Sequence, residues 1–171
     1  MSISSKYIEL YKKAPRLLGV VSNIQLDKES YNQVRILGEP KPFLKPTNSI
    51  TQGYKVVVVP SERDVKLEIE LGVVIKENSS YVSPENALKL ISGYFLASDL
   101  TARRKPILGA FTDQFYYKVF NNFTPISETF LDVSEIKNPQ DLIIEFEVLE
   151  NGEVKEEKRF STSDMVWTIA E

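Results

Sequence analysis

The sequence predicts an α+β protein that is mainly β. Three observations carry this expectation. Short apolar runs of strand length outnumber helical stripes, roughly seven against two or three. Residues 65–75 alternate with period two, with Lys66, Glu68 and Glu70 on one face and Leu67, Ile69 and Leu71 on the other. Asn151-Gly152 joins two further alternating runs, the strongest short-range signal for a hairpin. A doubly wound nucleotide-binding sheet is not expected, because the seven glycines are scattered singly and form no phosphate loop.

The elements follow in order. Ser5 to Lys13 reads as a short helix with Tyr7, Ile8, Leu10 and Tyr11 as its stripe, stopped by Pro15. Leu17 to Val21 reads as a strand. Ser22 to Glu39 is polar and weakly periodic, so a loop or a short helix is expected. Pro40, Pro42 and Pro46 exclude a helix and favour an extended edge or loop segment. Val56-Val57-Val58-Val59 reads as a buried strand ended by Pro60. The alternating run over 65–75 becomes apolar throughout beyond Gly72. Ser83-Pro84-Glu85 starts a helix, with Ser as N-cap, Pro at the first position and an acid in the first turn. Ala87, Leu88 and Ile91 form its buried stripe, and Gly93 is expected to end it. Tyr94 to Ser98 is a strand leading to Asp99. The hairpin pairs Leu142–Leu149 with Val154–Phe160 through a type I′ turn. Ser161 to Asp164 reads as an N-cap region, so a helix of about two turns carrying Met165, Val166 and Ile169 is expected before the chain ends at Glu171. No repeat, low-complexity segment or linker intervenes. Residues 1–15 therefore read as an N-terminal helix and 16–171 as one further domain.

Composition excludes more than it selects. The 171 residues include no Cys and no His. A disulfide, a thiolate nucleophile, a Cys/His zinc site and a Ser-His-Asp triad are all ruled out. Any metal must be held by oxygen, and any general base must be a carboxylate, Lys or Tyr. Lys and Arg number 21 against 24 Asp and Glu, for a net charge of −3. That balance leaves no electrostatic footprint for nucleic acid. No apolar stretch approaches the roughly 20 residues of a membrane span, and the first residues show no apolar signal core. The cytoplasm is the expected location.

Four charged residues stand out. Glu68 and Glu70 lie two apart on a strand, so their side chains leave the same face roughly 6–7 Å apart at the backbone. Carboxylates that close repel unless a cation, a proton or water screens them, and a hard divalent ion suits them. The bland alternative is a solvated strand face. Glu145 and Glu147 repeat the spacing in the hairpin, where the solvated face is the expected reading. Asp99 ends a strand before Leu100-Thr101-Ala102-Arg103, a place where an acid serves either as a ligand or as a turn cap. Lys118 sits inside the aromatic run Tyr116-Tyr117-Lys118-Val119-Phe120. It either snorkels outward or is held inside by a carboxylate.

These residues and their neighbours resemble the fumarylacetoacetate hydrolase family. Phe43-Leu44-Lys45-Pro46 is similar to its FxKP segment. Glu68-Ile69-Glu70-Leu71-Gly72-Val73-Val74-Ile75 is similar to its ExELxxVI strand. Gly93 to Arg103 is similar to GYxxxxDxTAR, and Lys118 to Ile126 to KxFDxFxPxG/S. The order and approximate spacing agree from about residue 17 to the end.

The resemblance implies a mixed β-roll or sandwich with a few short helices, and a catalytic domain over 16–171. It implies that Glu68, Glu70 and Asp99 bind Mg²⁺, or Mn²⁺ or Ca²⁺. Lys118 would stand beside the metal and the substrate, with Arg103 and Lys45 as further substrate contacts. Three carboxylates over-neutralise a divalent ion by one charge, which a nearby Lys restores. The implied substrate is a small 2-oxo acid or 1,3-dicarbonyl compound, hydrolysed at a C–C bond, decarboxylated or isomerised through a metal-stabilised enolate. A homodimer is also implied.

The chain departs from the pattern in three places. The family's lid segment, GxNYxxH, falls near Val21 to Asp27, with Asn23 in register and Asp27 at or near the His position. Asp27 or Glu29 is left as the carboxylate base. Arg104-Lys105-Pro106 replaces the usual Asp-x-Gln, and the family's C-terminal third with its TGTPxG loop is expected to be missing. The competing reading is a non-catalytic or truncated paralogue with a structural role.

Overall fold

The computed structural model describes residues 17–25, 27–53, 55–104 and 114–171. The helix expected over Ser5 to Lys13 lies outside them, as do Lys105 and Pro106. Two compact units form. Among the described residues, one gathers Leu17–Gly19 with Pro42–Val74 and Ser92–Asp132. The other gathers Val20–Lys41, Ile75–Ile91 and Val133–Glu171. The mainly β expectation is borne out. Among the described residues no helix is long and apolar enough to cross a membrane.

In the first unit, β1 (Leu17–Val20) pairs with β2 (Pro42–Lys45). A four-stranded sheet holds β3 (Ile50–Gln52), β4 (Arg63–Ile75), β5 (Ile91–Arg104) and β6 (Thr124–Asp132) in the order β3-β6-β5-β4. β3 runs parallel to β6, Ile50 opposite Thr124, which lays the segment after Lys45 beside the one after Phe123. β5 and β6 are antiparallel, with a bulge between Phe95 and Ala97. Ser127 Oγ accepts from the Leu96 amide there, at 3.1 Å. A short helix follows β5 in the chain (Gln114–Lys118).

Gly93 does not end a helix, as the sequence suggested, but lies inside β5. A Cβ at this position would stand 2.3 Å from the Leu131 carbonyl oxygen and 2.2 Å from the Phe130 ring. Close approach of β6 explains the glycine. The preceding helix is only one α turn (Pro84–Ala87) followed by a 3-10 turn (Leu88–Leu90). Leu88 is exposed, and Ile91 is buried as the first residue of β5.

Val56 to Val59 is not a buried strand. The chain turns at Gly53 after leaving β3, and residues 55–60 pair with no strand among the described residues. Val56 and Val58 are 85% and 82% exposed. Four β-branched residues favour an extended backbone, but a strand also needs a ladder partner.

In the second unit, α1 (Lys28–Arg35) is capped by Asp27. The hairpin forms as expected from β7 (Ile143–Glu150) and β8 (Glu153–Ser161). Asn151 and Gly152 both have positive φ, 55° and 86°, as a type I′ turn requires. The helix expected after Ser161 stops as one 3-10 turn, Thr162–Asp164, closed by a reciprocal capping box between Ser161 and Asp164. Met165 is already extended. The backbone is diverted because Asn23 claims it: the Val166 amide donates to the Asn23 carbonyl at 2.7 Å, and the Asn23 side chain bonds Trp167 N and O. Val166 and Trp167 are thereby buried in an extended segment.

Candidate active site

The site grows from β5. Asp99 and Thr101 lie two apart and therefore share a face. Lys118, at the end of its short helix, reaches both: its Nζ donates to Thr101 Oγ1 at 2.8 Å and to Asp99 Oδ2. Lys45, at the end of β2, donates to Asp99 Oδ1 at 2.5 Å and to the Phe123 carbonyl at 2.7 Å. That carbonyl also accepts the Leu100 amide. The Lys45, Asp99 and Lys118 side chains are 2%, 5% and 5% exposed. A charge so buried persists only when paired, and here one carboxylate is gripped by two ammonium groups. Of the two fates open to Lys118, the structure shows the inward one. Its Nζ also stands 4.7 Å from the centre of the Phe43 ring, a cation–π contact.

β4 is the neighbour of β5 and brings the glutamates. Glu68 Oε2 lies 3.6 Å from Lys118 Nζ, and Oε1 accepts from Lys66 at 2.8 Å. Burial pushes the Glu68 carboxyl up, but Lys66 and Lys118 outweigh it and hold the group below its ordinary value. Glu70 is pushed up to about 7, by burial first and then by the Asp99 and Glu68 carboxylates; Lys118 and Lys45 offset this only in part. Burial also pulls the Lys45 ammonium down, against Asp99. Three ammonium groups, Lys45, Lys66 and Lys118, thus stand among the three carboxylates, and Glu70 feels Asp99 and Glu68 more than it feels the lysines. Glu145 and Glu147 behave as a solvated face: both are exposed, and Glu145 pairs with Arg159 at 3.3 Å.

Carboxylate oxygen donors suit a hard divalent cation. As the side chains stand, however, both Asp99 oxygens carry ammonium groups, and among the described residues no three acids are gathered tightly enough to enclose an ion. Arg103 continues the Asp99 face of β5, half-buried, and forms no ion pair with the cluster among the described residues.

Asp27 and Glu29 belong to the second unit. Asp27 accepts the Ser30 amide at 2.8 Å, and this bond holds its carboxyl below the ordinary value. Glu29 accepts from Gln33 at 3.3 Å. Both serve α1. Sequence reasoning missed Thr101, Phe43 and the Phe123 carbonyl as the groups that orient the lysines. The first two stand in the TAR and FxKP segments, so a signal existed; a backbone carbonyl leaves none.

The mitochondrial oxaloacetate tautomerase of Caenorhabditis elegans is 36% identical over 134 residues, 77% of this chain and 60% of that protein. The mitochondrial oxaloacetate tautomerase FAHD2 of rice, Oryza sativa subsp. japonica, is 32% identical over 168 residues, 91% of this chain and 72% of that protein. Among solved structures, maleylpyruvate hydrolase from Sphingobium sp. SYK-6, crystallised with manganese(II) and pyruvate, superposes with a TM-score of 0.68 at 19% identity. That match covers 91% of this chain and 51% of the hydrolase, and it establishes a shared fold. The chain therefore spans about half to about three-quarters of these proteins' length. Residues 17–171 match the family described as fumarylacetoacetate (FAA) hydrolase C-terminal, and with these relatives the chain belongs to the fumarylacetoacetate hydrolase family.

Proposed function

We propose that this chain is a divalent-metal-dependent enzyme acting on a small 2-oxo or 1,3-dicarbonyl acid, with keto–enol isomerisation or decarboxylation as its reaction. One observation carries the reading: the buried Asp99, held by Lys45 and Lys118 beside two glutamates, with the Glu70 carboxyl raised to about 7. Glu68, Glu70 and Asp99 are the proposed metal ligands. Mg²⁺ or Mn²⁺, when bound, supplies a Lewis-acid centre that favours enolisation of a chelating oxo acid.

The chain's own groups do the rest. Lys118 is fixed by Thr101 and Phe43, so its ammonium presents a localised positive charge to developing oxyanion character. Arg103 is the proposed partner of the substrate carboxylate. Asp27 or Glu29 is the proposed proton acceptor in place of a lid His. Isomerisation and decarboxylation need no activated water, which is why they rank above C–C hydrolysis in a chain without His. The relatives named as oxaloacetate tautomerases support the substrate class. The test is enol-to-keto conversion of oxaloacetate, followed by ultraviolet absorbance with and without Mg²⁺. Metal-dependent conversion lost in Glu68→Ala is expected. No conversion of oxaloacetate or acylpyruvates would leave the second reading, a non-catalytic subunit. Asp27 favours that reading by spending its carboxylate on its own helix. The same proposal carries a homodimer and a cytoplasmic location, checked by light scattering and by fractionation.

A further inference from the structure

We infer that Lys45 is a built-in occupant of the cation position at Asp99, and that it lowers this chain's affinity for a divalent ion. The inference rests on the metal-centred reading above.

Two observations carry it. The first is contact: the Lys45 ammonium donates to Asp99 Oδ1 at 2.5 Å, while Lys118 takes Oδ2. The only carboxylate of the trio that is fully inside the protein is thus occupied at both oxygens. The second is charge. Three carboxylates, one divalent ion and Lys118 balance one another; Lys66 on Glu68 is more than half exposed and screened by water, so it is the buried Lys45 ammonium that leaves an unscreened surplus positive charge. With 2% of its side chain exposed, Lys45 has almost no water to screen that surplus. In the metal-free chain the same ammonium is useful, because Asp99 would otherwise keep a buried oxygen without a cation. Lys45 and a divalent ion therefore compete for Asp99. On arrival of the ion, the Lys45 ammonium moves off Oδ1 and keeps its bond to the Phe123 carbonyl.

The experiment compares the full chain with Lys45→Met and Lys45→Gln at pH 8. Free Mn²⁺ is followed by electron paramagnetic resonance, and melting is recorded in chelator and in saturating Mn²⁺. Lys45→Gln retains a donor toward the Phe123 carbonyl and so guards against a simple packing loss. The expected result is Mn²⁺ bound at least tenfold more tightly by both variants, with lower melting than the unaltered chain in chelator and a larger gain on adding Mn²⁺. Unchanged or weaker Mn²⁺ binding by a cooperatively melting variant overturns the inference and makes Lys45 a positioning residue. In that case one Mn²⁺ bound by the unaltered chain leaves the metal reading intact. No Mn²⁺ bound by any of the three removes both. One further readout needs no variant: saturating Mg²⁺ should shift the Lys45 ammonium nitrogen resonance, and an unshifted signal overturns the inference.

Discussion

Glu70→Gln isolates the electrostatics of the cluster. The Glu70 carboxyl is raised from 4.5 to about 7 by burial and by the Asp99 and Glu68 carboxylates. A carboxyl that holds its proton more tightly in the folded chain than in the unfolded one costs stability as pH rises. The loss accumulates between about pH 4.5 and pH 7 and is complete above that. At full strength a rise of this size corresponds to about 3 kcal/mol. Glu70 is nonetheless exposed to water, and screening leaves about 1–2 kcal/mol at most. Gln keeps the shape without the charge. In chelator at pH 8, Glu70→Gln is therefore expected to be more stable than the unaltered chain by about 1–2 kcal/mol, or about 2–8 °C in Tm for a chain of this size. Near pH 4.5 the two should melt together. The assay is circular dichroism melting from pH 4.5 to 8.5. A variant less stable at pH 8, or a difference that does not change with pH, would refute the like-charge account.

Further outcomes follow from the same packing. Lys118→Met removes one of the two cations on buried Asp99 and should destabilise the chain by about 2–4 kcal/mol, read as a fall in Tm, with turnover lost. Gly93→Ala forces a Cβ against the Leu131 carbonyl and should cost about 1–3 kcal/mol in urea unfolding. Asp27→Asn keeps the α1 cap, since Asn caps as well as Asp, so helix content should not change. Turnover should fall at least tenfold in that variant if the proton acceptor is Asp27; unchanged turnover removes Asp27 from proton transfer.

The sequence was most legible where one local rule sufficed. The hairpin needed only Asn151-Gly152 between alternating runs, and β4 needed only its period of two. The pairing of Asp99 with Lys118 was legible as an alternative: a lone cation in an aromatic run leaves two fates, and only tertiary contact selects one. What escaped was set by distant partners. Val56 to Val59 has strand composition, but among the described residues no ladder runs beside it. The turn after Ser161 has a good cap, but Asn23 pulls Val166 and Trp167 into an extended path. Gly93 looked like a helix stop because the approach of Leu131 is invisible in one dimension. Lys45 was named through its motif alone; its bond to Asp99 comes from β3 pairing with β6 and cannot be read from spacing.

Glu68, Glu70 and Asp99 are the proposed ligands of a divalent ion. The most direct test is a crystal structure of the chain grown with Mn²⁺, with anomalous scattering used to place the ion. One Mn²⁺ bound by all three carboxylates is expected, with the Lys45 ammonium withdrawn from Asp99. An ion bound elsewhere, or none while Asp99 stays between Lys45 and Lys118, would contradict it.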